Sequence, residues 1–155
     1  KQMNTRTDHL ATPDAFAGKR IAALDYGEAR IGVAVCDEMH IVVSTRPVVV
    51  NNNDVFSALT QRFTEDRIDV VLVGMPYRLD DVKTEIMKSI EFFVEQIRQY
   101  ITQPEYVVDE AYSTQRARHI MEESGMKQKK RRKKGTKDVV AAAVILRDFI
   151  EEYRS

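Results

Sequence analysis

Acidic residues at three separate places in this chain have the chemistry to hold a divalent cation. Asp25 directly follows an apolar run, and Asp109 with Glu110 ends a second one. Asp138 begins a helical pattern near the end of the sequence. Carboxylates that are brought together resist ionisation unless a cation offsets their repulsion. Two such cations about 3.5 to 4 Å apart can activate a water and stabilise the leaving oxygen of a phosphodiester, and oxygen ligands favour Mg²⁺ or Mn²⁺ over zinc.

Each of these acids also has an ordinary explanation. An aspartate before a turn that contains glycine is a common turn former, as Asp25 is before Gly27. Asp138 in the first turn of a helix would complement the helix dipole. Asp109 and Glu110 are adjacent, so alternation along a strand sends only one of them to a shared site and does not say which. The acids therefore predict a site only if the fold brings them together.

The elements that would position Asp25 come first in the chain. Residues 21–24 and 31–36 are apolar runs on either side of a polar break with Gly27, which is typical of a β-hairpin. Residues 40–51 have β-branched side chains on both sides of Pro47, which predicts a third strand that is bent or lies at an edge. The domain is therefore predicted to begin with a three-stranded meander.

Helices and strands alternate in the rest of the chain. The patterns predict a short helix over 56–63 with its N-cap among 51–53, a buried strand over 69–76, a long helix over 82–101, a strand over 105–110, a helix from 113 or 114 to 125, and a last helix over 137–153. This order predicts an α/β fold of the ribonuclease-H-like kind, with a mixed five-stranded sheet and helices on both faces. Ligands of such sheets bind at the carboxyl ends of the parallel strands, where the first two acidic positions fall.

The composition predicts one globular domain. The chain has 155 residues, of which 43% are hydrophobic and 31% charged, and no apolar run is long enough to cross a bilayer. The single cysteine, Cys36, excludes an intramolecular disulfide and favours a reducing compartment, so we expect a cytoplasmic protein. Residues 1–18 have no hydrophobic segment of the secretory type and are predicted to be a flexible tail before a single domain over 19–155.

The charge distribution predicts a local site for a polyanion. The formal net charge is zero, but eight basic residues and no acid lie between Lys127 and Lys137. Loops of this kind are often merely solvated, but one beside Asp138 is well placed to contact phosphates, and Arg30 is a further candidate. The central residues of this basic segment, predicted to bind nucleic acid, are Lys129, Lys130, Arg131, Arg132, Lys133 and Lys134.

Four segments together resemble a known family. They are ALDYGEARIGVAVCD at 23–37, VVLVGMP at 70–76, VVDEAYST at 107–114 and KKRRKKGTKDVVAAAVIL at 129–146. The chain resembles, over nearly everything but its first 18 residues, the bacterial RuvC-like family of Holliday-junction resolvases, also described as the pre-16S ribosomal RNA nuclease. The resemblance implies that Asp25, Glu110 and Asp138 are the catalytic, metal-binding acids, which favours Glu110 over Asp109. It also implies a nuclease with a two-metal site that acts in maturation of the 5′ end of precursor 16S ribosomal RNA.

Two departures from the family pattern keep alternatives open. Ala111 stands where the family has an arginine after its Asp-Glu pair, and the loop after Pro76 lacks the usual asparagine, although Arg78 could contact phosphate in its place. The first alternative is a junction-resolving DNA nuclease, which would need a dimer because its two cuts are symmetric. The second is a catalytically silent module that binds nucleic acid. We expect structured RNA, or branched DNA, as the partner of a monomer or homodimer.

Overall fold

The computed structural model describes the backbone of residues 15–110 and 136–154, and the side chains of 15–110 and 140–153. The elements in these ranges are, in chain order, β1 (Ile21–Asp25), β2 (Arg30–Cys36), β3 (Val43–Val50), α1 (Val55–Glu65), β4 (Val70–Met75), α2 (Glu85–Ile97), β5 (Glu105–Asp109) and α3 (Thr136–Arg154). The predicted hairpin, the meander and the later alternation of helix and strand are confirmed.

The five strands form one mixed sheet in the order β3-β2-β1-β4-β5. The first three strands pair antiparallel, and β1, β4 and β5 pair parallel. The third strand lies at the edge, as predicted, and its register against β2 shifts between Ile31 and Val33, opposite Pro47. Such a bulge is where a proline without a backbone donor is tolerated. Every residue of β4 is buried, which its uninterrupted apolar run predicted.

Two hydrophobic cores lie on opposite faces of the sheet. On one face, residues of α1 and α2 such as Leu59, Phe63 and Ile90 pack against Leu24 and Val73 of the strands. On the other face, α3 packs against the sheet through a stripe of side chains at helical spacing. These are Ala142, Ile145, Leu146, Phe149 and Ile150. The prediction of helices on both faces, and with it the fold class, is confirmed.

The start of the domain differs from the prediction. Phe16, inside the segment predicted to be tail, is completely buried. Its ring contacts those of Tyr106, Phe149 and Tyr153 at centroid distances of 5.1, 4.8 and 5.5 Å. The core therefore includes at least one residue before Lys19, and the boundary predicted at residue 18 is too late.

The boundaries of α2 differ too, because turn geometry and a cap restrict it to fewer residues than hydrophobic spacing suggests. The helix predicted over 82–101 begins at Glu85, since the Thr84 hydroxyl accepts a hydrogen bond from the Met87 amide at 3.3 Å. Asp81, just before it, has a positive φ of 60°. The N-cap of α1 is Asp54 and not one of the three preceding asparagines, although Asn52 accepts the Asp54 amide at 2.9 Å.

Two predicted features lie outside the described residues: the helix from 113 or 114 to 125, and the basic segment over 127–137. The backbone of Lys137 belongs to α3. Within the ranges that the structure describes, no helix combines the length and apolarity that a bilayer crossing requires.

Candidate metal centre

Asp25 is the last residue of β1, at the carboxyl edge of the parallel strands. The register pairs Leu24 with Val73, so the next step along the two strands places Asp25 beside Gly74. On its other side Asp25 pairs with Gly32 of β2. Asp25 therefore lies in the middle of the sheet edge, between the hairpin and the parallel half.

The turn that follows Asp25 is held by backbone contacts. A Cβ on Gly27 would lie 2.4 Å from the carbonyl oxygen of Arg30, so the turn has room only for glycine. The Asn51 side chain donates a hydrogen bond to the Gly27 carbonyl at 2.8 Å, and the Asn51 amide donates to the Ala29 carbonyl at 2.9 Å. The end of β3 thus fixes the turn beside Asp25.

Glu110 follows β5 directly and extends its pairing with β4. Its amide donates to the Met75 carbonyl at 3.1 Å. Its carboxylate lies against the backbone of Gly74, where a Cβ would stand 3.0 Å from Oε2 and 3.2 Å from Cδ. The carboxylate therefore occupies the space that a side chain at position 74 would fill.

The sheet geometry distinguishes Glu110 from Asp109, a choice that strand alternation left open and that only the family resemblance favoured. Val108 packs in the core beneath α3, whereas Val107 packs in the opposite core. Side chains alternate, so Glu110 follows Val108 onto the α3 face. Asp25 follows Ala23, which also packs in the core beneath α3. Glu110 and Asp25 thus share one face of the sheet.

Glu110 has a strongly perturbed acidity. Its pKa is raised from 4.5 to about 8, first by burial and then by the negative charges of Asp25 and of Asp109. In the absence of a cation, Glu110 is therefore protonated at neutral pH. A buried carboxyl group beside a second carboxylate is a donor set that a divalent cation fits, because the ion replaces the proton and removes the repulsion.

Asp138 belongs to the helix that covers this face. Its backbone lies in the first turn of α3, four residues before the buried Ala142 and seven before the buried Ile145, but its side chain lies outside the described part. Among the side chains that the structure does describe, no group of three His, Cys, Asp or Glu residues could hold a metal. The described residues therefore supply two of the three predicted ligands.

The two arginines predicted to contact nucleic acid lie near the same edge. Arg30 begins β2 and precedes Ile31, which packs in the core opposite α3, so alternation places Arg30 on the face of Asp25. Arg78 lies in the loop after β4, where its Nε and Nη2 donate to both oxygens of Asp80 at 2.9 and 2.6 Å. This pairing lowers the pKa of the Asp80 carboxyl. A phosphate would therefore compete with Asp80 for Arg78.

The basic segment lies outside the described residues, and one residue of this region was not predicted. Residues 129–134, predicted to bind nucleic acid, lie outside the described residues. Tyr26, next to Asp25, packs its ring against that of Phe93 at a centroid distance of 5.1 Å. Gly74 was not predicted from the sequence as a site residue. A glycine inside a buried strand was the available signal, because it marks close approach by another group.

Comparison with known proteins gives a consistent result. A family model described as RuvX: Holliday junction resolvase matches residues 19–152. A protein of Christiangramia forsetii named "Putative pre-16S rRNA nuclease" is 36% identical over 134 residues, covering 86% of this chain and 98% of its own length. A Bacteroides fragilis protein of the same name is 31% identical over 136 residues, covering 87% and 98%.

Solved structures with this fold include two resolvases. RuvC of T. thermophilus in complex with a Holliday junction substrate superimposes with a TM-score of 0.55 at 13% identity, covering 86% of this chain and 95% of RuvC. The resolvase of Fowlpox virus, with Holliday junction DNA, has a TM-score of 0.52 at 13% identity, covering 88% and 99%. At these identities the likeness is one of fold.

Proposed function

The chain belongs to the RuvX family, described as Holliday junction resolvases, and we propose that it is a metal-dependent nuclease that cuts structured RNA. The biological reaction proposed is maturation of the 5′ end of precursor 16S ribosomal RNA. The observation that carries the proposal is the placement of Glu110 and Asp25 on one face at the carboxyl edge of the sheet, with the pKa of Glu110 raised to about 8. A carboxyl group that is buried beside a second carboxylate is suited to a cation, which offsets both the burial and the repulsion.

The proposed ligands are Asp25, Glu110 and Asp138. When bound there, Mg²⁺ or Mn²⁺, expected as a pair, would activate a water and stabilise the leaving oxygen of the phosphodiester. The protein holds Asp25 through the turn that Asn51 fixes, and Glu110 against Gly74. Glu110 gives up its proton when the site is filled, so the charge of the cation is matched by ionised ligands.

The remaining predicted residues would bind the substrate. Arg30 lies on the same face of the sheet as Asp25, and Arg78 lies in the loop after β4, both near the carboxyl edge. Residues 129–134 precede α3 in sequence and would neutralise phosphates on either side of the cut, which makes affinity fall with salt. The protein would then select its RNA substrate by shape, since contacts to phosphates do not read the bases.

RNA is the favoured substrate because the two relatives described above are named for precursor ribosomal RNA. Branched DNA is the second candidate, since the family description and the RuvC complex both name Holliday junctions. Junction resolution needs two symmetric cuts and therefore two copies of this chain on one substrate. The cytoplasmic location and the choice between monomer and homodimer stay predictions.

The test compares two substrates with the full chain and Mn²⁺. One is an RNA that carries the mature 5′ end of 16S ribosomal RNA behind a leader, and the other is a four-way DNA junction. We expect the RNA to be cut, with the rate lowered more than about 100-fold in Asp25→Asn, since loss of a metal ligand exceeds the effect of outer-shell changes. Glu28→Gln, which changes an exposed acid in the adjacent turn, is the matched control and should cut at the normal rate.

Three other outcomes would redirect the proposal. Paired symmetric cuts in the junction, by a dimer, with intact RNA would favour the resolvase. Salt-sensitive RNA binding with no heat of Mn²⁺ binding would favour the silent module, in which Ala111 replaces the family arginine. Equal cutting by the normal chain and Asp25→Asn would mean that the activity comes from a contaminant or from another site.

A further inference from the structure

We infer that Gly74 is a positioning residue of the proposed metal centre, because its missing side chain lets Glu110 and α3 pack together on the backbone of β4. The inference rests on the proposed function, which supplies the cation. It goes further by naming a residue that ligates nothing and yet sets the relative positions of the acids.

Two side chains, one from α3 and one from the end of β5, occupy the space beside the Gly74 backbone. A Cβ built on Gly74 would stand 2.6 Å from Cδ1 of Ile145, a residue of α3. The same Cβ would stand 3.0 Å from Oε2 of Glu110. Real Cβ atoms essentially never show the first distance, and the second is tighter than nine in ten real Cβ contacts. The helix and the carboxylate therefore meet at one backbone position.

Backbone conformation does not explain this glycine. The only positive-φ glycine found in the described residues is Gly18, so the backbone at Gly74 would accept an L-residue. Glycine weakens a strand compared with other residues, because it loses more conformational freedom and contributes no packing. Close approach by Glu110 and Ile145 is therefore the physical reason for a glycine here.

The contact with Ile145 extends the effect to the third acid. Ile145 lies seven residues after Asp138, which is two turns along the same face of α3. Ile145, which seats on Gly74, thus belongs to the helix whose first turn carries Asp138. A side chain at position 74 would displace the Glu110 carboxylate and the Cδ1 end of Ile145, the contact through which α3 seats on β4.

The experiment separates the two contacts with four variants of the full chain. Gly74→Ala adds the Cβ, Ile145→Val removes the Cδ1 atom that the Cβ would strike, and the double variant combines them. Ile150→Val, on the same buried face of α3, is the matched control for loss of packing away from Gly74. Each variant is measured for thermal unfolding, for its Mn²⁺ dissociation constant by calorimetry, and for kcat and KM on RNA.

We expect Gly74→Ala to unfold at a lower temperature and to bind Mn²⁺ roughly 10- to 100-fold more weakly, which is the range for residues that orient metal ligands. The double variant should regain most of its unfolding temperature but not its Mn²⁺ affinity, because the clash with Glu110 persists. Its kcat should fall while KM for RNA stays normal. Ile150→Val should lose thermal stability and keep the Mn²⁺ dissociation constant of the normal chain.

One result would contradict the inference alone, and a different result would contradict the proposed function as well. If the double variant binds Mn²⁺ as tightly as the normal chain, Gly74 serves packing alone and the inference is wrong, while the proposed function survives. If the normal chain gives no heat with Mn²⁺ and cuts no nucleic acid, the proposed function fails and the inference fails with it.

Discussion

The carboxylate of Glu110 lies on the backbone of Gly74, at the end of a fully buried strand and next to the strand that ends in Asp25. This contact connects the fold to the chemistry. It explains why a glycine interrupts an otherwise apolar strand, and it places a buried acid within the field of a second acid. The same arrangement determines how the site should respond to pH, to metal and to substitution.

Replacement of Glu110 by glutamine should stabilise the metal-free chain at alkaline pH. The pKa of Glu110 is raised from 4.5 to about 8, so its contribution to stability is fully present below pH 4.5 and is lost as the pH rises through 8. Glu110→Gln stays neutral throughout. Its free energy of unfolding above pH 8 should exceed that of the normal chain by on the order of a few kcal/mol.

Urea unfolding at a series of pH values, with EDTA present, measures this difference. Glu28→Gln changes an exposed acid nearby and should leave the pH dependence as it is. Excess Mn²⁺ should reverse the order of stability, since the cation stabilises only the chain that binds it. If the free energies of unfolding of the normal chain and of Glu110→Gln changed in parallel with pH, the burial of an ionisable Glu110 would be contradicted.

Binding of Mn²⁺ should release close to one proton per site when the pH lies well below 8. Glu110 holds that proton in the metal-free chain and must lose it to become a ligand. The apparent affinity for Mn²⁺ should therefore rise with pH and level off above 8. Calorimetry in two buffers with different ionisation enthalpies counts the protons, and a count of zero at pH 6.5 would be inconsistent with Glu110 as a ligand.

Asn51→Ala should loosen the turn beside Asp25. It removes the hydrogen bond to the Gly27 carbonyl at 2.8 Å, at a cost of about 1 kcal/mol in unfolding free energy. Asn53→Ala, two residues later and exposed, should change that free energy by less than about 0.5 kcal/mol. Because the turn positions Asp25, only Asn51→Ala should also weaken Mn²⁺ binding. Equal Mn²⁺ affinity in both variants would show that the turn does not support the site.

Neutralising residues 129–134 should weaken RNA binding mainly at low salt. With all six changed to glutamine, the slope of log K against log salt should become shallower by up to about 4, because each phosphate neutralised on a single strand accounts for about 0.7 of that slope. Exposed Lys88→Gln and Arg147→Gln are controls that should leave the slope nearly the same. An unaltered slope in the six-residue variant would mean that this segment does not bind the phosphates.

The sequence predicted the sheet because its signals there are local. The apolar runs of the hairpin and of β4 fix the strands, and Pro47 marks the edge strand at its bulge. The prediction that residues 1–18 form a tail was wrong at Phe16, because the burial of this residue depends on residues far away in the sequence. Phe16 is buried by Tyr106 and by side chains of α3, which no local pattern in a polar segment can indicate.

The candidate site was predictable in its residue types but not in its geometry. Asp25 and the adjacent Asp109 and Glu110 were found from strand ends, and the resemblance favoured Glu110, but the face on which each acid lies depends on the register of β5 against β4. That register decides which side chain follows Val108 onto the α3 face. The role of Gly74 depends on three elements meeting at one point, β4, the end of β5 and α3, and so could appear only in the folded chain.

A crystal structure of the full chain soaked in Mn²⁺ tests the central claim most directly. We predict one or two Mn²⁺ ions at the carboxyl edge of the sheet, with oxygens of Asp25, Glu110 and Asp138 in their coordination shells and the Glu110 carboxylate still against Gly74. Anomalous density elsewhere, or a bound ion that Glu110 does not touch, would contradict this claim.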